Sequence, residues 1–248
     1  SWTDTDGYDP DTAGSYTFTA VLGTIPAGYA NTGGYTAEVE VVVAAEPPII
    51  LTADTTFNDV DHEIEITFTA NADFADAITN VSFNGVDLTE NTDYTVSSDR
   101  VTLKPAGGNA VLQTPATGYV VISATGYTDK SVEQTITAGA AASIAVTRDP
   151  VPGANEEVFA IQPEITIYDQ YDNICADGPS SDAYVFAGSG GPNLQIYGNT
   201  GISATEGVVN YTDLECWANS PGTGTIYFQL IEGSINLYTY FYFTLPIE

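Results

Sequence analysis

Apolar and polar residues alternate at period two through nearly the whole chain, and that alternation most constrains its fold. A strand sends successive side chains to opposite faces, whereas a helix needs apolar stripes at i, i+3, i+4 and i+7, which are hard to find here. Residues 16–22 (YTFTAVL) and 35–43 (YTAEVEVVV) are predicted strands, joined by a Pro/Gly-rich loop over 23–34. Pro47-Pro48 has no amide hydrogens to give to a ladder, so 44–48 is predicted to be an interdomain linker. Further strands are predicted at 62–70, 80–83, 94–97, 100–103, 118–124 and 131–137, with a tight turn at Asn84-Gly85 and a single helical turn over 74–78. Gly139-Ala140-Ala141-Ala142 reads as a second, shorter linker. Beyond it, 144–147, 164–169, 183–187, 194–197, 207–212, 224–230 and 237–245 form the strand pattern of one sandwich. The expectation is an all-β chain of tandem immunoglobulin-like β-sandwiches: 1–45 an incomplete one, 46–138 and 139–248 complete.

Composition narrows the partners. The chain carries 33 Asp+Glu against 4 Lys+Arg, a net charge of −29, which repels nucleic acid and anionic membranes. Such a surface also repels itself unless salt or a divalent cation screens it. This points to secretion into a salty or calcium-containing medium, although an acidic halophile-type cytoplasm has the same balance. Disorder is excluded because aromatic and β-branched residues are plentiful. No apolar run approaches the ~20 residues of a membrane-spanning helix. No signal peptide opens the chain, so a secreted origin implies that an upstream segment has been removed.

Few residues can carry chemistry. Asp4, Asp6, Asp9 and Asp11 crowd a Gly/Pro loop, and Asp169, Asp172 and Asp177 flank a turn near Asn173. Asp54, Asp59, Asp61 and Glu63 form a third cluster. Acidic oxygens on loops are hard ligands, so calcium is the expected cation, although the first loop lacks the closing Glu of an EF-hand. Cys175 and Cys216 are expected to form a disulfide in an oxidising compartment, two buried thiols being the alternative. His62 stands alone, which removes Ser-His-Asp triads and multi-histidine metal sites, and no catalytic group is assigned. Trp2 is expected in the core of the partial unit, while Trp217 and loop tyrosines are candidates for stacking on sugars. Asn80-Val-Ser and Asn210-Tyr-Thr are glycosylation sequons on predicted strands.

Three local patterns resemble modules of bacterial surface proteins. Trp2-Thr3-Asp4, then Ala13-Gly14-Ser15-Tyr16-Thr17-Phe18 and Ala37 to Val43, resemble the second half of a bacterial Ig-like repeat. Ile78-Thr79-Asn80-Val81-Ser82-Phe83-Asn84-Gly85 with Gly118 to Tyr127 is similar to Ig-like modules of secreted polysaccharidases and Gram-positive surface proteins. Gln162 to Asn173 and Gly207 to Leu214 resemble the invasin/filamin-like repeat, with Asp172 in place of the usual turn Gly. The resemblance implies a non-catalytic extracellular structural protein, a segment or subunit of a surface layer or filament. The rival reading is an adhesin or carbohydrate-binding module of a larger secreted protein. Its partners would be copies of itself, neighbouring domains or glycans. Residues 1–45 hold only two or three strands, so either the chain is an excised piece or another subunit supplies the rest. The C-terminal strand, apolar on both faces through Leu237, Tyr238, Tyr240, Phe241, Tyr242 and Phe243, is the candidate donor.

Overall fold

The computed structural model describes residues 2–10, 14–20, 23–34, 36–43, 48–191, 193–220 and 222–244. Asp11, the linker residues 44–47 and the predicted strand ends at Val21, Leu22, Tyr35 and Leu245 lie outside the described residues. The chain divides into two compact units, Ser1–Ile49 and Ile50–Glu248.

The first unit is one antiparallel sheet, β1 (Trp2–Asp4), β2 (Gly14–Ala20) and β3 (Glu38–Val43), in that order. Its register runs from Trp2 opposite Ala20 to Gly14 opposite Val43. Among its described residues Tyr16 is the buried apolar one, packed edge-on against Tyr8 at 5.2 Å. Trp2 is 53% exposed, which overturns its expected place in a core: among the described residues the three strands have no second layer to cover it.

The second unit holds two sandwiches, both immunoglobulin-like. In the first, β4 (Leu51–Thr52), β5 (Ile64–Phe68), β6 (Ile78–Phe83), β7 (Val86–Asp87), β8 (Tyr94–Ser97), β9 (Arg100–Leu103), β10 (Ala116–Ala124) and β11 (Lys130–Ile136) make two antiparallel sheets. Their orders are β4-β5-β9-β8 and β11-β10-β6-β7. Alternating inward residues fill the space between: Ile64, Ile66, Val101 and Leu103 face Val81, Phe83, Val120 and Ile122, all buried. Asn84 and Gly85 take positive φ of 50° and 76° and join β6 to β7 as the tight turn expected of them. The expected helical turn is α1 (Ala72–Asp76), capped by the Asn71 side chain, which accepts from the Phe74 amide at 2.9 Å.

The second sandwich comprises β12 (Ser143–Arg148), β13 (Glu157–Val158), β14 (Glu164–Tyr168), β15 (Tyr184–Ser189), β16 (Leu194–Tyr197), β17 (Gly201–Ser203), β18 (Val208–Asn210), β19 (Glu215–Ala218), β20 (Thr223–Glu232) and β21 (Ile235–Thr244). They form sheets β12-β14-β18, β13-β19-β16 and β17-β15-β20-β21 around one core that includes Ile165, Val185, Val209, Leu214 and Phe228. Tyr211 is buried there with its hydroxyl donating to the Val185 carbonyl at 2.9 Å. Among the described residues of this sandwich, β13, β17 and β19 are strands beyond those the alternation predicts.

Candidate functional site

The segment between the two sandwiches is the first place where side chains converge. The small residues Gly139 to Ala142 read as a bare linker, but each successive amide from Thr137 to Ala142 has an acceptor. Thr137 donates to the Asn58 carbonyl at 3.0 Å and Ala142 to the Tyr168 carbonyl at 2.8 Å. Between them Ala138 donates to Asp177 (2.8 Å), Gly139 to Asp169 (3.2 Å), Ala140 to Asp61 (2.7 Å) and Ala141 to the Ser180 hydroxyl (3.0 Å). Two further bonds cross directly between sandwiches: Gln170 Nε2 to Asp61 at 2.7 Å, and Asn173 Nδ2 to the Gln113 carbonyl at 2.8 Å. Gly178, at φ +76°, lies so close that a Cβ would sit 2.2 Å from the Ala138 carbonyl oxygen.

These contacts place the acids expected to bind calcium. Asp169 and Asp177 spend carboxylate oxygens on backbone amides, as does Asp61. Asp172 occupies the turn with a φ of 63°, standing in for the usual Gly. Asp4 accepts from the amides of Asp6, Gly7 and Tyr8, and Asp6 accepts from the Thr17 amide at 2.7 Å. Asp9 belongs to the same loop, and Asp11 lies outside the described residues. Among the described residues no three acidic, His or Cys groups converge as a metal-binding cluster.

The expected disulfide is corrected. Cys175 and Cys216 are both buried and free. Their backbones belong to different ladders, since Cys175 bonds to Ile167 on β14 while Cys216 pairs with Glu157 and Ile196 in the β13-β19-β16 sheet. The Cys175 thiol, 3.6 Å from the Gly139 carbonyl, is pushed up to about 12 by burial, helped by the charges of Asp169, Asp61, Glu232 and Asp177. Burial also raises the Cys216 thiol. Neither is poised as a nucleophile. His62 Nδ1 stands 2.7 Å from Asp59 Oδ1, with the side chain half exposed.

The C-terminal strand is the second candidate site. Apolar on both faces, β21 is paired with β20 along its length, from Thr223 opposite Thr244 to Glu232 opposite Ile235, and one of its faces is covered. Leu237, Phe241 and Phe243 pack on the core, while Tyr238, Tyr240 and Tyr242 are 46%, 53% and 66% exposed. Register extends that outer face across four strands. Gly201, Phe186, Gln229 and Tyr238 form one row; Gly188, Tyr227 and Tyr240 form the next; Thr225 and Tyr242 follow. The rings of Tyr238 and Tyr240 are nearly parallel, 13° apart, with centroids at 6.4 Å. Trp217 lies elsewhere, in an open groove on the β13-β19-β16 sheet with Tyr197, Gln195, Glu156 and Glu215. Of the sequons, Asn80 donates to Asp87 and Asn210 accepts from Arg148.

One module matches a known family. Residues 51–137 match the family described as "Heme-binding protein Shr-like, Hb-interacting domain". No curated protein sequence matches the chain. Among solved structures, the D00-D0 domain of intimin is similar at 8% identity, with 79% of this chain and 99% of that one covered and a TM-score of 0.42. Domains 4–9 of the surface layer protein SbsC are similar at 18% identity, covering 81% of this chain and 30% of that one, with a TM-score of 0.33. A β-glucuronidase of Parabacteroides merdae is similar at 12% identity, covering 82% and 26%, with a TM-score of 0.28. The scores are too low for any of the three to speak about function.

Proposed function

We propose that the chain is a non-catalytic extracellular segment of a cell-surface protein, a structural arm in a surface layer or filament. One observation carries this reading: the uninterrupted bonding of the amides from Thr137 to Ala142, which welds two sandwiches into a single body. A spacer must hold its modules in fixed orientation, and domain junctions move unless such contacts stop them. The match of 51–137 to a module named for interaction with Hb in its own protein supports a protein-contacting role outside the cell. The single His62, bonded to Asp59, supports the absence of triad chemistry.

The test is nitrogen-15 relaxation on the full chain, joined to antibody labelling of intact source cells. The reading expects one shared rotational diffusion tensor for residues 51–244 and surface labelling without permeabilisation. Separate tumbling of the two sandwiches, or labelling only of lysed cells, would overturn it. Strand exchange between subunits would require β21 to leave all ten of its partners on β20, so assembly through intact surfaces is the version proposed.

A further inference from the structure

We infer that the outer face of the β17-β15-β20-β21 sheet is a binding platform for a neutral polysaccharide. The reading stands apart from the proposed arm and does not depend on it.

The face is aromatic, and its strands present no outward charge. Outward positions on β15, β20 and β21 present Tyr184, Phe186, Tyr227, Tyr238, Tyr240 and Tyr242, and no outward residue of these strands is ionised at neutral pH. On a chain of net charge −29 this absence selects the partner. A cationic ligand would find no carboxylate there, and an anionic one would be repelled by the surrounding molecule. A second copy would bring another −29 with it. A neutral ligand meets neither obstacle.

Glycines lay two of the rings down. A Cβ on Gly188 would sit 2.4 Å from the Tyr227 Cζ and hydroxyl, and one on Gly201 would sit 1.5 Å from the Tyr184 hydroxyl. Both tyrosines therefore lie across a neighbouring strand. Pyranose rings offer an apolar face of C–H bonds that stacks on such a surface, while their hydroxyls pair with phenol oxygens and amides at the rim. Those partners are present: Gln229 Nε2 bonds to the Tyr238 hydroxyl and to Asn236 Oδ1 between the rings. Phe186, Tyr227, Tyr238 and Tyr240 form a contiguous cluster, with neighbouring centroids 6.3–6.5 Å apart. Together with Tyr242 farther along β21, the cluster offers more than one sugar ring a place to stack.

Native electrophoresis of the full chain through gels containing hydroxyethylcellulose or galactomannan tests the platform, with alginate as the polyanion control. Retardation by at least one neutral polymer and none by alginate is expected. The variant Tyr238→Ser/Tyr240→Ser/Tyr242→Ser should bind about tenfold more weakly or worse, while Trp217→Ala should bind as the parent does. No retardation by either neutral polymer, full retention in the triple variant, or loss only in Trp217→Ala would overturn the proposal. So would sedimentation showing that the parent self-associates through this face and the triple variant does not. Should the triple variant fail to fold, amide shift changes on adding mannohexaose and cellohexaose to the parent decide instead: they should map to β15, β20 and β21, and shifts elsewhere or none would refute it.

Discussion

Asp169 is buried with its charge, and a carboxylate removed from water must find donors. It finds the amides of Gly139, Tyr171 and Asn173 and the Asn173 side chain, between 2.8 and 3.2 Å. Asp169→Ala would strand several of these at about 1–3 kcal/mol each, so a loss of at least about 3 kcal/mol is expected in urea unfolding, with Asp169→Asn costing less. Asp61 is exposed, and its removal should cost only about 1 kcal/mol while loosening the joint. The thiols give a second residue-scale prediction. Cys175 and Cys216 should not react with Ellman's reagent at pH 8 in the native protein, and both should react in guanidinium; an unreactive pair in denaturant would restore the disulfide. Their raised folded pKa values also fix a sign. A group whose pKa rises on folding lends stability that is complete below the unfolded thiol value of about 8.5 and lost as pH climbs through the folded value. Cys175, pushed up to about 12, therefore predicts a decline in melting temperature between those limits. Tyr211, raised by burial, adds a loss of the same sign above its ordinary value. Cys175→Ala should show a shallower alkaline decline than the parent.

Strand β21 shows how one element can serve two surfaces. Its inner side chains fill the core, so truncating Phe228, a fully buried ring on β20, should cost about 3–5 kcal/mol, and truncating Phe243 on β21 somewhat less. Tyr238, Tyr240 and Tyr242 are exposed, and their replacement by Ser should cost under about 1 kcal/mol each in the same unfolding assay. That contrast separates a binding face from a core face. The alternation at 237–245 made both faces legible but not their fates, because which side meets water depends on Phe228 and Leu230 across the sheet. Strands bounded by turn residues were legible to the residue: Tyr94–Ser97, Arg100–Leu103 and Leu194–Tyr197 match their predicted bounds. Strands β13 and β17 were not, since two or three residues give too little alternation to register, and β19 hides Cys216 and Trp217 inside an apparent loop. The joint was illegible for another reason. Gly139 and Ala140 look like linker because their acceptors, Asp169 and Asp61, stand 30 and 79 positions away. Composition supplied the acids at the junction; only folding showed that amides occupy them.

At the scale of the whole molecule the dominant quantity is the charge of −29. Folding gathers those carboxylates into a smaller volume, so self-repulsion opposes the native state more than the unfolded one. At low ionic strength the screening length is ~30 Å, about the size of a small domain, and it falls to ~10 Å at 0.1 M. Added sodium chloride should therefore raise the melting temperature by several degrees between 10 mM and 0.5 M, most steeply at the low end. Screening depends on ionic strength and is indifferent to the identity of the cation, whereas a bound ion stabilises in proportion to the logarithm of its concentration over Kd. Because Asp4, Asp6, Asp61, Asp169 and Asp177 already accept amide hydrogens, calcium chloride is expected to act as sodium chloride does at matched ionic strength. Calorimetric scans in the two salts, with magnesium as a third arm, check this. A calcium-specific rise that saturates at low concentration and is reversed by chelator would mean that some acids exchange their amide donors for a cation. The rigidity of the arm would then follow the calcium of its surroundings, where direct hydrogen bonding makes it independent of them.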